Sequence, residues 1–261
     1  MARPFKKNPI SVSYTAWKRY KECPQKHFLV MTGRRPNLVD ERNFLNGSVL
    51  HKVMERWLDN DEPVSWIADQ AEPVWEEYVD KKYILFKGQA DKDELRQKCI
   101  LWGRQLVKLL TDMNLNKHHC DTELHVEKFI EVDGYQVRLH GYIDILAATQ
   151  DDDHIVMDLK CSASRSVMDP YQMVFYSLLL EDVDRSRHAT YILPALDDIV
   201  HHEVTEEHRQ WLLADIQKMV RGIIADEFEP DPENANCFWC EVKPACPVMG
   251  GLPAKRGRVD L

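Results

Sequence analysis

A mixed α/β fold, a small mixed sheet flanked by helices with helical additions at both ends, follows from three observations on this 261-residue sequence. Apolar residues recur at helical spacing in four stretches before residue 116, and again between residues 206 and 228. The period changes to two between residues 122 and 161, around the turn pair Asp133-Gly134. Apolar types make up 44% and charged types 30%, which allows a packed core and rules out global disorder.

The elements follow in order. Residues 11–31 read as a short helix with Ser13 as its cap, Trp17 and Tyr20 on one face, and Pro24 after Cys23 near its end. A second helix over about 47–59 carries Leu50, Met54 and Trp57 on one side. Two more, about 63–82 and 91–116, are rich in charge and tryptophan. Strands at 122–132 and 135–148 flank the Asp133-Gly134 turn, and a third at 155–161 follows the polar turn 149–153. Asp169-Pro170 opens a helix to about residue 181, with proline at its first position. Strands near 190–194 and 199–204 lead to a long amphipathic helix at 206–228, which Glu229-Pro230-Asp231-Pro232 breaks. The whole chain, 1–261, is expected to be one domain: a helical N-terminal part (about 11–118), a sheet core (about 119–205), and a C-terminal helix with a cysteine cluster (about 206–248).

Charge and cysteine content narrow the class. Lysine plus arginine is 34 against 43 for aspartate plus glutamate, a net charge of −9. That balance argues against a general nucleic-acid coat and leaves a local basic groove open. No apolar run approaches the ~20 residues of a membrane span, and no apolar segment follows the charges of the first nine residues. The expectation is a cytosolic protein away from membranes. Seven cysteines in such a chain point to metal ligands or plain thiols rather than a disulfide frame. No repeat or heptad array is visible.

The most informative segment runs from His140 to Lys160. Residues two apart on a strand share a face, so Asp158 and Lys160 point one way, and Ile155, Met157 and Leu159 point the other, into a core. Asp144 and Asp158 lie equally far from Asp151, so a symmetric hairpin sets them opposite each other with Cβ atoms roughly 4.5–5.5 Å apart. A divalent metal between two such carboxylates removes their repulsion and creates a Lewis acid. Lys160 is placed to hold an attacking water or to neutralise charge building on a phosphate. A salt-bridged polar sheet face has the same composition.

Two helices add to this set. Gly47, His51 and Glu55 are spaced by four and stack on one helix face. His51 suits a metal ligand or general base if that helix faces the hairpin, and an ordinary surface or core histidine has the same spacing. Gln172 and Tyr176 are likewise four apart, an amide and a phenol able to reach a phosphate or orient Lys160. They would also serve as a polar cap on a helix that is apolar at Val174, Phe175 and Leu178 to Leu180.

In this order, Gly47-x3-His51, Asp144, Asp158-x-Lys160 and Gln172-x3-Tyr176 resemble the PD-(D/E)XK nucleases of the RecB-like branch, over about residues 11–248. The resemblance implies a restriction-endonuclease-like core with a central mixed sheet between helices. It also implies that His51, Asp144, Asp158 and the Leu159 carbonyl bind Mg2+ or Mn2+. Lys160 would assist the nucleophilic water, with Gln172 and Tyr176 in the catalytic set. Ile143 stands where the pattern has proline, and the second acid is aspartate, which the pattern permits.

The tail reads Cys237-Phe-Trp-Cys240-Glu-Val-Lys-Pro-Ala-Cys246-Pro247. Three thiolates so close share one metal or cluster only with a fourth ligand. Cys23 is the best candidate, with Cys99, Cys120 and Cys161 as alternatives, and zinc is the commoner use of four cysteines. One cysteine before the core and three after it resembles the iron–sulfur nucleases, namely AddB-type helicase–nuclease subunits and the CRISPR spacer-acquisition nuclease of the Cas-four family. That resemblance implies a [4Fe–4S] cluster on Cys23, Cys237, Cys240 and Cys246, stapling both termini, with Zn2+ as the alternative occupant. Cys99 and Cys120 are then ordinary buried thiols, and Cys161 a core thiol facing away from Lys160.

Together these features imply a Mg2+- or Mn2+-dependent deoxyribonuclease, an exonuclease at DNA ends or on single strands, with endonuclease activity also open. Recombination, repair, and phage or CRISPR DNA processing in a bacterial or phage-infected cell are the processes implied, with recombination, replication or CRISPR-adaptation proteins as partners. DNA contacts are expected from Trp17, Lys18, Arg19, Tyr20, Arg34 and Arg35, which would equally form a solvated face. The alternative is a catalytically silent nuclease fold that binds DNA ends within a larger complex, but pure binding has no need of His51, Asp144, Asp158, Lys160 and Gln172 together. A zinc-stabilised protein without a nucleic-acid role leaves the ordered acid–lysine pattern unexplained.

Overall fold

The computed structural model describes residues 9–33, 41–82, 84–148, 154–180 and 188–249. In chain order these form β1 (Ile10–Val12), α1 (Tyr14–Glu22), α2 (Pro24–Met31), α3 (Leu45–Leu58), α4 (Trp66–Lys81) and α5 (Gln89–Asp112). There follow β2 (Cys120–Val132), β3 (Tyr135–Ala148), β4 (His154–Leu159), α6 (Pro170–Leu180), β5 (His188–Leu193), β6 (Asp198–Glu203) and α7 (Glu206–Ile224). The result is a mixed sheet with flanking helices, as the periodicities predict. The chain divides into two compact units.

One unit comprises Asp40–Val126 and Tyr142–Arg209. Here β3 runs antiparallel to β4, with Ile145 opposite Met157, and β4 runs parallel to β5, with Asp158 opposite Tyr191. A parallel pair needs a crossover, and α6 provides it. Helix α6 is buried continuously from Met173 to Leu180, as a helix packed on all sides must be. An antiparallel β6 closes the sheet edge through a turn at Asp197, φ 50°. Leu50, Val53 and Trp57 of α3, Ile67 and Trp75 of α4, and Leu106 of α5 form one core with Ile145, Met157 and Leu159. Trp75 and Asn46 pair their polar atoms inside that core. The Trp75 indole N–H donates to Asn46 Oδ1 (3.1 Å), and Asn46 Nδ2 donates to the Leu95 carbonyl (2.9 Å).

The other unit comprises the described parts of Met1–Val39, Glu127–Gly141 and Gln210–Leu261. Asp133 and Gly134 both take left-handed φ, 51° and 80°, the two-residue turn whose twist matches the strands that it joins. β1 pairs parallel with the start of β3, Ile10 opposite Val137 and Val12 opposite Leu139. Ser13 caps α1 by accepting the Ala16 N–H at 3.2 Å, as expected.

The expected single helix at 11–31 is corrected to a short strand and two helices. Cys23 is extended (φ −166°, ψ 110°), and Pro24, which has no N–H to continue the first helix, begins the second. The strand expected to reach residue 161 ends at Leu159, and the last long helix ends at Ile224 rather than 228. The turn at 149–153 lies outside the described residues. Among the described residues no helix is long and apolar enough to cross a membrane.

Gly103 of α5 sits where a Cβ would lie 2.8 Å from the Ala71 Cβ of α4. Helix propensity alone favours alanine there by about 1 kcal/mol, but overpacking typically costs about 1–3 kcal/mol, and the rigid Ala71 cannot swing aside. Gly103→Ala is therefore expected to lower the urea midpoint, and an unchanged or raised midpoint would contradict this packing.

Candidate active site

The site grows from the register of three strands. β3 and β4 pair with Ile145 opposite Met157, so the register carries Asp144 to a place opposite Asp158. β2 pairs with β3, and counting outward from the Asp133-Gly134 turn, where residue 132 faces 135, places Glu123 beside Asp144 on its other side. One row across the sheet thus holds three carboxylates. One ligand atom each from His51, Glu123 and Asp144 lies within 4.8 Å of the others.

Asp158 is 1% exposed and firmly held. Lys160 Nζ lies 2.7 Å from its Oδ2 and donates to its Oδ1 at 2.9 Å. Gln172 Nε2 donates to the same Oδ1 at 3.0 Å and to the Tyr176 hydroxyl at 3.3 Å. Burial pushes the Tyr176 phenol up to about 12. The Lys160 N–H goes to the Ile192 carbonyl of β5 (2.9 Å), so the Leu159 N–H points towards β3. There it donates to Asp144 Oδ2 at 3.1 Å, a side-chain oxygen taking the place of a ladder carbonyl. Asp144 is not neutralised by this. Burial first, and the Asp158 charge second, push its carboxyl up to about 6, against the opposing pull of His51, the Leu159 N–H and Lys160.

Helix α3 brings His51 to the row. Its Nε2 is 2.9 Å from the Leu159 carbonyl, which can only accept, and its Nδ1 is 3.5 Å from Asp144 Oδ2. Gly47, one turn earlier, lies over Cys161, whose Cβ would be 3.7 Å from an added Cβ, so a small residue lets α3 approach the end of β4. Glu55, the third residue of this face, is bound to Lys52 at 2.7 Å through both oxygens. A groove of about 700 Å³ runs past the row and is lined by Phe44, Ser48, His51, Glu123, Lys160 and Ser162, among others.

These residues fit a divalent cation. Carboxylates, an imidazole and a backbone carbonyl suit Mg2+ or Mn2+. His51 Nε2 and the Leu159 oxygen lie side by side, 2.9 Å apart in a hydrogen bond, and both would be free to hold an ion once that imidazole nitrogen gives up its proton. Glu123 belongs to none of the sequence motifs, although counting outward from the Asp133-Gly134 turn places it beside Asp144. Its φ of 46° is unusual for glutamate within a strand, and its side chain is exposed.

The four proposed cluster cysteines lie in the other unit. Cys23 is buried, Cys237, Cys240 and Cys246 are half-buried, and all four line one small cleft of about 20 Å³. The Asp231 N–H donates to Cys23 Sγ at 3.4 Å. Cys99, Cys120 and Cys161 are not in that cleft. Burial raises the Cys99 and Cys161 thiols, and raises Cys120 to about 11.

Of the expected DNA-lining residues, Trp17 does not serve as drawn. It is 2% exposed, and its indole N–H donates to Asp215 at 2.9 Å, so no base can reach its face. Tyr20 is half-buried, with its hydroxyl donating to the Glu227 carbonyl at 3.0 Å. Lys18 and Arg19 are half-buried in the same unit, while Arg34 and Arg35 lie outside the described residues.

Fold and acid row together define a nuclease of one superfamily. The chain belongs to the PD-(D/E)XK nuclease superfamily, whose profile matches residues 11–247. It is 29% identical over 135 residues to the gene 69 protein of Mycobacterium phage D29, covering 49% of this chain and 48% of that protein. Against the gene 69 protein of Mycobacterium phage L5 the identity is 28% over 180 residues, 65% of this chain and 59% of that protein. The chain thus spans less than two thirds of either phage protein. A crystal structure of a provisionally assigned exonuclease from Eubacterium rectale superposes with a TM-score of 0.51 at 10% identity, covering 96% of this chain and 91% of that one, a likeness of fold alone.

The raised Asp144 carboxyl has a consequence for stability. A carboxyl at about 6 when folded and 3.8 when unfolded makes its contribution below pH 4 and loses it as pH rises through 6. In chelator-treated protein Asp144→Asn should therefore be the more stable form at pH 8, by up to about 3 kcal/mol. The gain should shrink as pH falls through 6 and vanish near pH 4. Urea unfolding of both proteins across that range checks it, and a pH-independent difference would refute the assigned cause.

Proposed function

We propose that the protein is a Mg2+- or Mn2+-dependent deoxyribonuclease that acts as an exonuclease at DNA ends or on single strands. The observation that carries this reading is the acid row with its single lysine: Glu123, Asp144 and Asp158 on adjacent strands, His51 over them, and Lys160 alongside. The exonuclease assignment of the Eubacterium rectale neighbour agrees with it. His51, Asp144, Asp158, Glu123 and the Leu159 carbonyl would hold the ion. When bound, the ion lowers the pKa of water and offsets the negative charge that grows on the phosphate.

The remaining work falls to the chain's own groups. Asp158 holds Lys160 by two short contacts, which fixes the ammonium on the open side of the row. From there Lys160 would steer the attacking water and screen the phosphate charge. Gln172 and Tyr176 would keep Asp158 in place from α6. Water attacks phosphorus in line, a new P–O bond forms as the bond to the 3′ oxygen breaks, and the departing oxygen takes up a proton. We assign this activity to the whole chain as one nuclease domain. It would act in the cytoplasm of a bacterial or phage-infected cell, in recombination, repair or CRISPR DNA processing.

Asp158→Ala and Lys160→Ala are each expected to abolish digestion of labelled DNA in Mn2+ while circular dichroism stays native. His51→Ala and Glu123→Ala should raise the Mn2+ concentration needed for half-maximal rate. Full activity in a folded Asp158 or Lys160 variant would overturn the reading.

The cysteine cleft supports a second element of the proposal, a [4Fe–4S] cluster on Cys23, Cys237, Cys240 and Cys246 that ties both termini of its unit together. Anaerobically purified protein should be brown, with broad visible absorbance. Cys23→Ser should bleach it and lower its thermal midpoint as much as Cys240→Ser does, while Cys99→Ser does neither. A colourless protein with one zinc and no iron or sulfide would replace the cluster with zinc.

A further inference from the structure

A second cross-strand pair stands beside the acid row. His125 and Tyr142 lie two residues along from Glu123 and Asp144 and, like them, equally far from the Asp133-Gly134 turn, so they face each other across β2 and β3. Their ring centroids are 4.9 Å apart, with planes tilted by 52°. Both residues are exposed, Tyr142 at 57%. Its strand neighbours Ile143 and Ile145 are buried on the opposite face, so Tyr142 shares the open face with Asp144.

A large ring left in water forgoes the burial that usually stabilises aromatics, unless something covers it when the protein works. The spacing suggests what that is. Two strand residues span about 7 Å, the reach of one nucleotide from its phosphate to its base. A phosphate at the acid row therefore brings the adjoining base over the His125–Tyr142 rings. Stacking of a base on an aromatic side chain works for any base but needs that base unstacked from its strand.

We propose that His125 and Tyr142 form a stacking platform for the base next to the scissile phosphate, so that the enzyme takes hold of an unpaired nucleotide. This rests on the nuclease reading above. Tyr142 is then a positioning residue whose effect falls on substrate binding, and the site favours frayed or single-stranded DNA without sequence preference.

The test uses the full-length protein and single-stranded oligonucleotides carrying one 2-aminopurine at successive positions, with digestion followed in Mn2+. Wild type should quench the fluorescence most at one position. Tyr142→Ala should lose that quenching and raise KM roughly tenfold, with kcat and calorimetric Mn2+ affinity much less affected. Tyr142→Phe, which keeps the ring, should restore both quenching and KM. An abasic residue at the quenched position should cost the wild type a similar factor and cost Tyr142→Ala nothing more, a comparison that needs no second folded variant. Quenching that survives Tyr142→Ala, or an abasic penalty equal in both proteins, would overturn the platform while leaving the nuclease reading intact. A wild-type protein that neither binds nor cuts these oligonucleotides would overturn both.

Discussion

A carboxylate held almost wholly out of water is the constraint on which this site depends. Asp158 is 1% exposed, and an ionised group so placed is costly unless it is paired and hydrogen-bonded. Lys160 supplies the counter-charge from the same face of the same strand, and Gln172 supplies a neutral hydrogen bond from α6. Removing one partner of such a pair leaves a buried charge uncompensated, which typically costs about 3–5 kcal/mol. The crossover between β4 and β5 is thus tied to the site twice, by the apolar burial of α6 and by the amide at its first turn.

Asp144 shows the same physics left unfinished. It receives the Leu159 N–H and the nearby imidazole, yet its carboxyl stands near 6 because burial and Asp158 outweigh them. Glu123 adds a third carboxylate within reach. Three acids against one lysine and one histidine is an arrangement with too little positive charge, and a divalent cation corrects it. The repulsion among these carboxylates and their suitability for a cation have a single origin.

Much of this was legible in the sequence because it depends on local spacing. The Asp133-Gly134 turn, the alternation along β2 and β3, and the symmetry that sets Asp144 against Asp158 all need only counting. The four-residue steps from Gly47 to His51 and from Gln172 to Tyr176 follow from the helical repeat. What escaped counting has physical reasons. β1 is three residues long and is made by pairing with β3, which no local pattern announces. Helices α1 and α2 read as one because the break at Cys23 is a single extended residue before proline. Trp17 and Tyr20 do share a face, but long-range partners at Asp215 and Glu227 decided that Trp17 would be buried and Tyr20 half-buried. Glu123 obeys the same count, but a lone glutamate on an exposed strand has no motif to mark it.

The row formed by β2, β3 and β4 has the ligands to bind a divalent cation. An anomalous-difference map from crystals grown with Mn2+ tests it most directly. The expected result is a peak coordinated by Asp144 and His51, with the Leu159 carbonyl and at least one of Glu123 and Asp158 completing the protein ligands. Mn2+ bound elsewhere on the chain, with Asp144 still only hydrogen-bonded to the Leu159 N–H, would contradict it.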